Sequence, residues 1–174
     1  AHRKEPLIMN DALCEHIVAR KSKPTDLLIR ILVIVAVIAI AVLGMPFIGF
    51  LSFAVAVIAA MLAYYFIFPM LSVEYEYSLL NHDLEIDAIY NKSKRKSKIN
   101  VDIQTAEIIA PKGSHRLDSY HAENVCDFSS GNADVKVFAI MIPVEQKNTC
   151  IYIEPDQKMI DHMKQWMGMK MFED

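Results

Sequence analysis

The sequence predicts an α+β membrane protein, in which a two-helix transmembrane hairpin is followed by a small, mostly antiparallel β domain with a C-terminal amphipathic helix. Three observations carry this expectation. Apolar residues fill 53% of 174 positions, more than an ordinary soluble domain uses. They are concentrated in one block, Leu27 to Leu71, whose only charge is Arg30. From Ser72 onward the apolar pattern changes to the period of two that marks strands.

Residues 1–24 read as a cytoplasmic amino-terminal segment. They contain no apolar core flanked by a small-residue cleavage site, so the block that follows reads as a retained anchor. Leu13, Ile17 and Val18 suit one face of an interfacial helix, with Arg20, Lys21 and Lys23 at the head groups; an added strand of the β domain fits equally. Residues 25–71 are too many for one span. Gly44-Met45-Pro46 divides them into helices at 25–43 and 47–71, each near the ~20 residues that cross a ~30 Å hydrocarbon layer. Small residues such as Ala36, Ala56 and Ala63 permit close helix approach or serve as helix-forming filler. Arg3, Lys4, Arg20, Lys21 and Lys23 precede the first span, a basic cluster follows the second, and the turn between has no charge. Both termini are therefore expected in the cytoplasm. Tyr64, Tyr65, Phe66 and Phe68 stand where an aromatic belt would mark the inner interface.

Residues 72–174 form the β domain. "VEYEYSLL" at 73–80 and "DLEIDAIY" alternate apolar and polar around a tight turn, and read as an antiparallel hairpin. Strand-like runs follow at 99–104, 106–110, 125–128, 135–142 and 149–154, for about seven strands in all. The stretch "EPDQKMIDHMKQWMGMK" begins with proline and acids. It sets Met159, Ile160, Met163, Trp166 and Met167 at helical spacing, so a terminal helix with a core-facing Met and Trp stripe is expected.

Several stretches together carry a resemblance: "CEHIVARK" at 14–21, "VEYEYSLLNHDLEIDAIYNKSKRK" at 73–96, "EIIAP" at 107–111, "DFSSG" at 127–131 and "EPDQKMIDHM" at 154–163. The chain resembles, from Met9 onward, a family of small two-span membrane proteins of Gram-positive anaerobic bacteria with a cytoplasmic bacterial pleckstrin-homology-like (PH-like) domain. The resemblance implies a PH-like fold for residues 72–174 and a place in the bacterial cytoplasmic membrane. Its motifs are structural, so it implies no activity. In PH-like domains that hold inositol phosphates, basic residues surround the turn between the first two strands. Here that turn is Asn81-His82-Asp83, which has no permanent cation.

The run "NKSKRKSK" at 91–98 holds five cations in a chain of net charge −3. A strand of eight residues leaves the second span and its partner returns about the same 26 Å, which brings this run back toward the membrane. Lys92, Lys94, Arg95, Lys96 and Lys98 are thus candidates for contact with anionic head groups, each contributing at most about 1 kcal/mol. A solvated connection that merely satisfies the positive-inside tendency is the competing reading. Residues 72–174 hold 12 Lys and Arg against 17 Asp and Glu, a formal charge of −5, which argues against a nucleic-acid surface.

Other chemistry is sparse. Three cysteines, Cys14, Cys126 and Cys150, give no disulfide framework, and Cys14-Glu15-His16 lacks the four convergent ligands of a structural zinc site. His115, His121, Cys126 and Asp127 supply types for a nucleophile, base and orienter, but nothing in their spacing draws them together. The acid pairs Glu74/Glu76 and Glu85/Asp87 read as a solvated strand face. With no GxxxxGK[ST] or GxGxxG loop either, the chain is expected to be non-enzymatic, with no catalytic residue, cofactor or metal. The first expectation is a protein-interaction or assembly module whose partners are membrane lipid and other membrane proteins or a second copy. The alternative is an anionic-lipid or small-ligand sensing domain docked at the inner leaflet.

Overall fold

The computed structural model describes residues 13–174, so Arg3, Lys4 and Met9 lie outside the described residues. The chain forms two compact units, one of residues 13–18, 75–88 and 96–174, the other of residues 19–74 and 89–95.

In the second unit, helix α1 (Pro24–Ile48) has 25 residues and a length of about 37 Å. Pro24 occupies its first position, where the missing N–H costs nothing, and Asp26 accepts a hydrogen bond from the Lys23 N–H at 3.0 Å. The expected break at 44–46 is corrected. Pro46 lies inside α1, and the chain reverses at Gly49, whose φ of +60° is a left-handed value that glycine adopts without strain. Gly44 serves packing, since a Cβ there would meet the Ser52 Cβ at 2.8 Å. Helix α2 (Leu51–Phe66) follows, and its Ser52 hydroxyl donates to the Ala41 carbonyl at 2.9 Å. Ser52, Ala56 and Ala63 are buried, three or four residues apart with half-buried Ala59 between them, so small residues do line the α1–α2 contact. Ala36, Ala54 and Ala60 are exposed filler. A short helix α3 (Phe68–Leu71) completes a stretch, Leu51–Leu71, that like α1 is long and apolar enough to cross a membrane. Large apolar side chains such as Leu43, Phe47 and Leu62 cover the outside of this hairpin.

The other unit is built on two four-stranded sheets; residues 72–174 supply seven of the strands, as expected, and the amino-terminal segment adds another. The first runs in the order β1 (Leu13–Ala19), β2 (Val73–Leu80), β3 (Asp83–Tyr90), β4 (Lys94–Asp102). Of the two readings of the amino-terminal segment the added strand is the one found. Alternation turns Cys14 and Val18 inward and leaves Leu13 and Ile17 exposed, so Leu13, Ile17 and Val18 do not share a face as a helix would have them. The second sheet contains β5 (Ile108–Pro111), β6 (Asn124–Asp127), β7 (Phe138–Val144) and β8 (Lys147–Ile153), in the order β5-β7-β8-β6. All its pairings are antiparallel except β6 with β8.

Helix α4 (Gln157–Met167) starts at Asp156, whose carboxylate accepts from the Met159 N–H at 2.9 Å. Met159, Ile160, Met163 and Met167 are buried, but Trp166 is 38% exposed. Trp166 sits on the flank of the stripe and meets His82 edge-on, with ring centroids 5.2 Å apart. The core holds Tyr77, Leu79, Ile86, Ile140, Ile151 and Met159.

Burial raises the pKa of both Tyr77 and Cys150 above their ordinary values of 10.0 and 9.0. Each group stays neutral in the folded chain at a pH where the unfolded chain releases its proton. Stability is therefore fully present below pH ~9 and falls as pH rises past about 9 to 10. Denaturant midpoints read by circular dichroism should drop between pH 8 and pH 11.

Candidate functional site

The β3–β4 connection is three residues, 91–93, and contains a tight turn centred on Asn91 and Lys92. The Ser93 N–H donates to the Tyr90 carbonyl at 3.1 Å, with Asn91 and Lys92 at φ of +50° and +57°. Gln146 has the same conformation in the β7–β8 turn, so the backbone marks a tight hairpin and the side chains carry any function. The Asn91 N–H donates to the Ser72 carbonyl at 2.9 Å, which sets the turn beside the residue where α3 ends.

An open groove of about 590 Å³ lies there. Its apolar wall is Ile58, Met61, Leu62 and Phe66 of α2, at the spacing that one helix face presents. Its polar rim is Asn91, Ser93 and Lys94 from the turn and the start of β4. A smaller cleft of about 250 Å³ shares Tyr65, Pro69 and Asn91 with the groove and adds Arg30 and Ser72. All these residues belong to the helical unit.

The same unit is fastened by a charged pair. Arg20 lies 3.4 Å from the buried Asp26 carboxylate and also donates to the Leu71 carbonyl at 3.4 Å. Its backbone N–H donates to the Val73 carbonyl at 3.0 Å. This ties the start of α1 to the end of α3.

The five cations of the basic run are all exposed, but they do not form one loop. The run is a loop only to Ser93, and β4 begins at Lys94, five positions before the expected start at Ile99. Lys92, Lys94 and Arg95 belong to the helical unit, whereas Lys96 and Lys98 belong to the β unit. Alternation sets Lys94, Lys96 and Lys98 on one face of β4 and Arg95 on the other. Arg95 and Lys98 engage other groups of the protein. The acid pairs are not uniformly solvated: Glu85 is exposed, Glu74 and Glu76 are half-buried and Asp87 is buried.

The remaining candidates are engaged separately. Cys14 is buried in the core, and His16 lies 3.7 Å from Asp156 beside the Tyr77 ring. His115 pairs with Asp118 at 3.2 Å on the surface. Cys126 sits in β6 opposite Ile151, and the Asp127 carboxylate accepts from the Ser129 N–H and hydroxyl at 2.9 and 2.6 Å. In the β2–β3 turn, His82 lies 2.9 Å from Asp102 and 3.5 Å from Asp83. These three could offer ligand atoms to a cation, but two carboxylates at this turn oppose a phosphate.

The described residues thus form an α+β chain with two four-stranded sheets, a carboxy-terminal helix and two long apolar helices. The model of the family described as bacterial PH-like domain (DUF6106) matches residues 10–173, and the chain belongs to that family. No curated protein and no solved structure matches the chain.

Proposed function

We propose that the chain is a non-enzymatic protein of the bacterial cytoplasmic membrane, anchored by α1 and α2–α3 with both termini cytoplasmic, whose PH-like domain docks on anionic lipid of the inner leaflet. The observation that carries this reading is the Asn91 to Ser72 hydrogen bond, which holds the basic turn at the end of the apolar helices. Lys92 and Lys94 then sit where lipid phosphates would be, within a Debye length of the surface. The apolar outer surface of both helices supports the anchor, because a soluble protein would bury it.

The test is amide hydrogen exchange on the full chain in liposomes, with and without phosphatidylglycerol. Anionic lipid should slow exchange at residues 91–95, and the Lys92→Ser/Lys94→Ser/Arg95→Ser variant should lose that protection, as expected from about 2 to 3 kcal/mol of lost attraction. Equal exchange in neutral and anionic liposomes would reject lipid docking.

A protein-interaction reading has its own observation. Strand β1 is an edge of the first sheet, and its Leu13 and Ile17 are 48% and 55% exposed. An edge with apolar outward residues suits strand addition by another membrane protein or a second copy. A stoichiometric partner that co-purifies with the chain and is lost in an Ile17→Lys variant would favour this reading.

A further inference from the structure

We infer that the groove beside the β3–β4 turn is a discrete site for one anionic phospholipid, with an acyl chain along α2 and the phosphate between Arg30 and Lys94. The inference rests on the lipid-docking reading and goes beyond it, from a diffuse surface attraction to a single bound molecule. Three observations converge on it. The groove is of small-ligand size, and its wall of Ile58, Met61, Leu62 and Phe66 offers an acyl chain an apolar track. The adjoining cleft holds Arg30, the only charge in the apolar block, and both spaces share Asn91. Among the described residues Arg30 has no ion-pair partner, although a charge at this position in an apolar helix is costly unless something compensates it. A phosphate would compensate it: Lys94 lines the groove, Arg30 lines the cleft, and Asn91, common to both, has a side-chain amide that can donate to the same oxygens. An apolar protein segment would use neither cation, and in a zwitterionic lipid the headgroup's own ammonium offsets its phosphate, so a net-anionic phospholipid suits the two cations best.

The full chain in mild detergent, titrated with phosphatidylglycerol or phosphatidylcholine and read by native mass spectrometry, tests this. One phosphatidylglycerol should remain bound per chain, in preference to phosphatidylcholine. Arg30→Gln should weaken phosphatidylglycerol binding about fivefold and phosphatidylcholine binding less, so that the headgroup preference shrinks. Arg30→Lys should restore most of the preference. Leu62→Trp, which fills the groove from an exposed position, should weaken both lipids. A ladder of adducts with no headgroup preference and no response to Arg30→Gln would overturn the discrete site. If exchange at residues 91–95 still responds to anionic lipid in that case, surface docking survives and only the discrete site fails; if that response is absent as well, both fail.

Discussion

Tyr77→Ala is expected to cost the β unit about 3 to 5 kcal/mol, the range for truncating a large buried aromatic. Tyr77 is fully buried, and its hydroxyl also works as a cross-link. It donates to the Phe128 carbonyl and accepts from the Glu154 N–H at 3.2 Å, joining β2 to the segments that follow β6 and β8. Tyr77→Phe separates the two contributions. The ring remains, a buried carbonyl and a buried N–H lose their partner, and the cost should be about 1 to 3 kcal/mol. Urea unfolding of the full chain in detergent, followed by near-ultraviolet circular dichroism, measures both. Tyr77→Phe should also flatten the alkaline decline in stability, because the group that resists ionisation is gone. A Tyr77→Phe variant as stable as the parent at neutral pH would show that the hydroxyl contacts contribute nothing.

Asp26→Ala is expected to loosen the helical unit by about 2 kcal/mol. The carboxylate is both a helix-start acceptor for the Lys23 N–H and the partner of Arg20, and it is 7% exposed. Losing the cap alone costs about 0.5 to 2 kcal/mol. Arg20 is left without its carboxylate, but its partial exposure keeps the added cost below that of a fully buried pair. Asp26→Asn retains an acceptor for the Lys23 N–H and should lie between the two. Thermal unfolding in detergent ranks the three proteins. Because Arg20 also reaches the Leu71 carbonyl, Asp26→Ala should raise protease sensitivity near residues 20–24 and 71–73. Identical stability of all three would mean the charged pair fastens nothing.

The apolar block was legible because forty-five nearly uncharged residues admit few alternatives, and the β2–β3 hairpin because its alternation is clean around Asn81-His82. The exact reversal was not. Gly44 and Pro46 look like the breakers, but a proline in the last turn of a helix removes few bonds, and the left-handed position that stops α1 falls to Gly49. Strand β1 was legible only as one of two readings, since apolar Leu13 and Ile17 on its outer face blur the alternation. Strand β4 begins among lysines because its first residues are exposed at a sheet edge, so composition resembles a loop there. Trp166 fell outside the core because the buried stripe of α4 is narrow, and the ring found His82 instead. The groove had no local signal, since Leu62 and Lys94 are brought together only by the return of β3 to Ser72.

The proposed docking of the basic turn on lipid can be tested directly with a nitroxide on Lys92→Cys, in the full chain with Cys14, Cys126 and Cys150 replaced by serine or alanine and reconstituted in phosphatidylglycerol liposomes. A second label on Asp83→Cys, at the far end of β3, provides the reference. Relaxation by lipid-soluble oxygen and by a water-soluble nickel chelate should place position 92 at head-group depth and position 83 in bulk water. Both labels equally exposed to the nickel chelate and shielded from oxygen would contradict lipid docking.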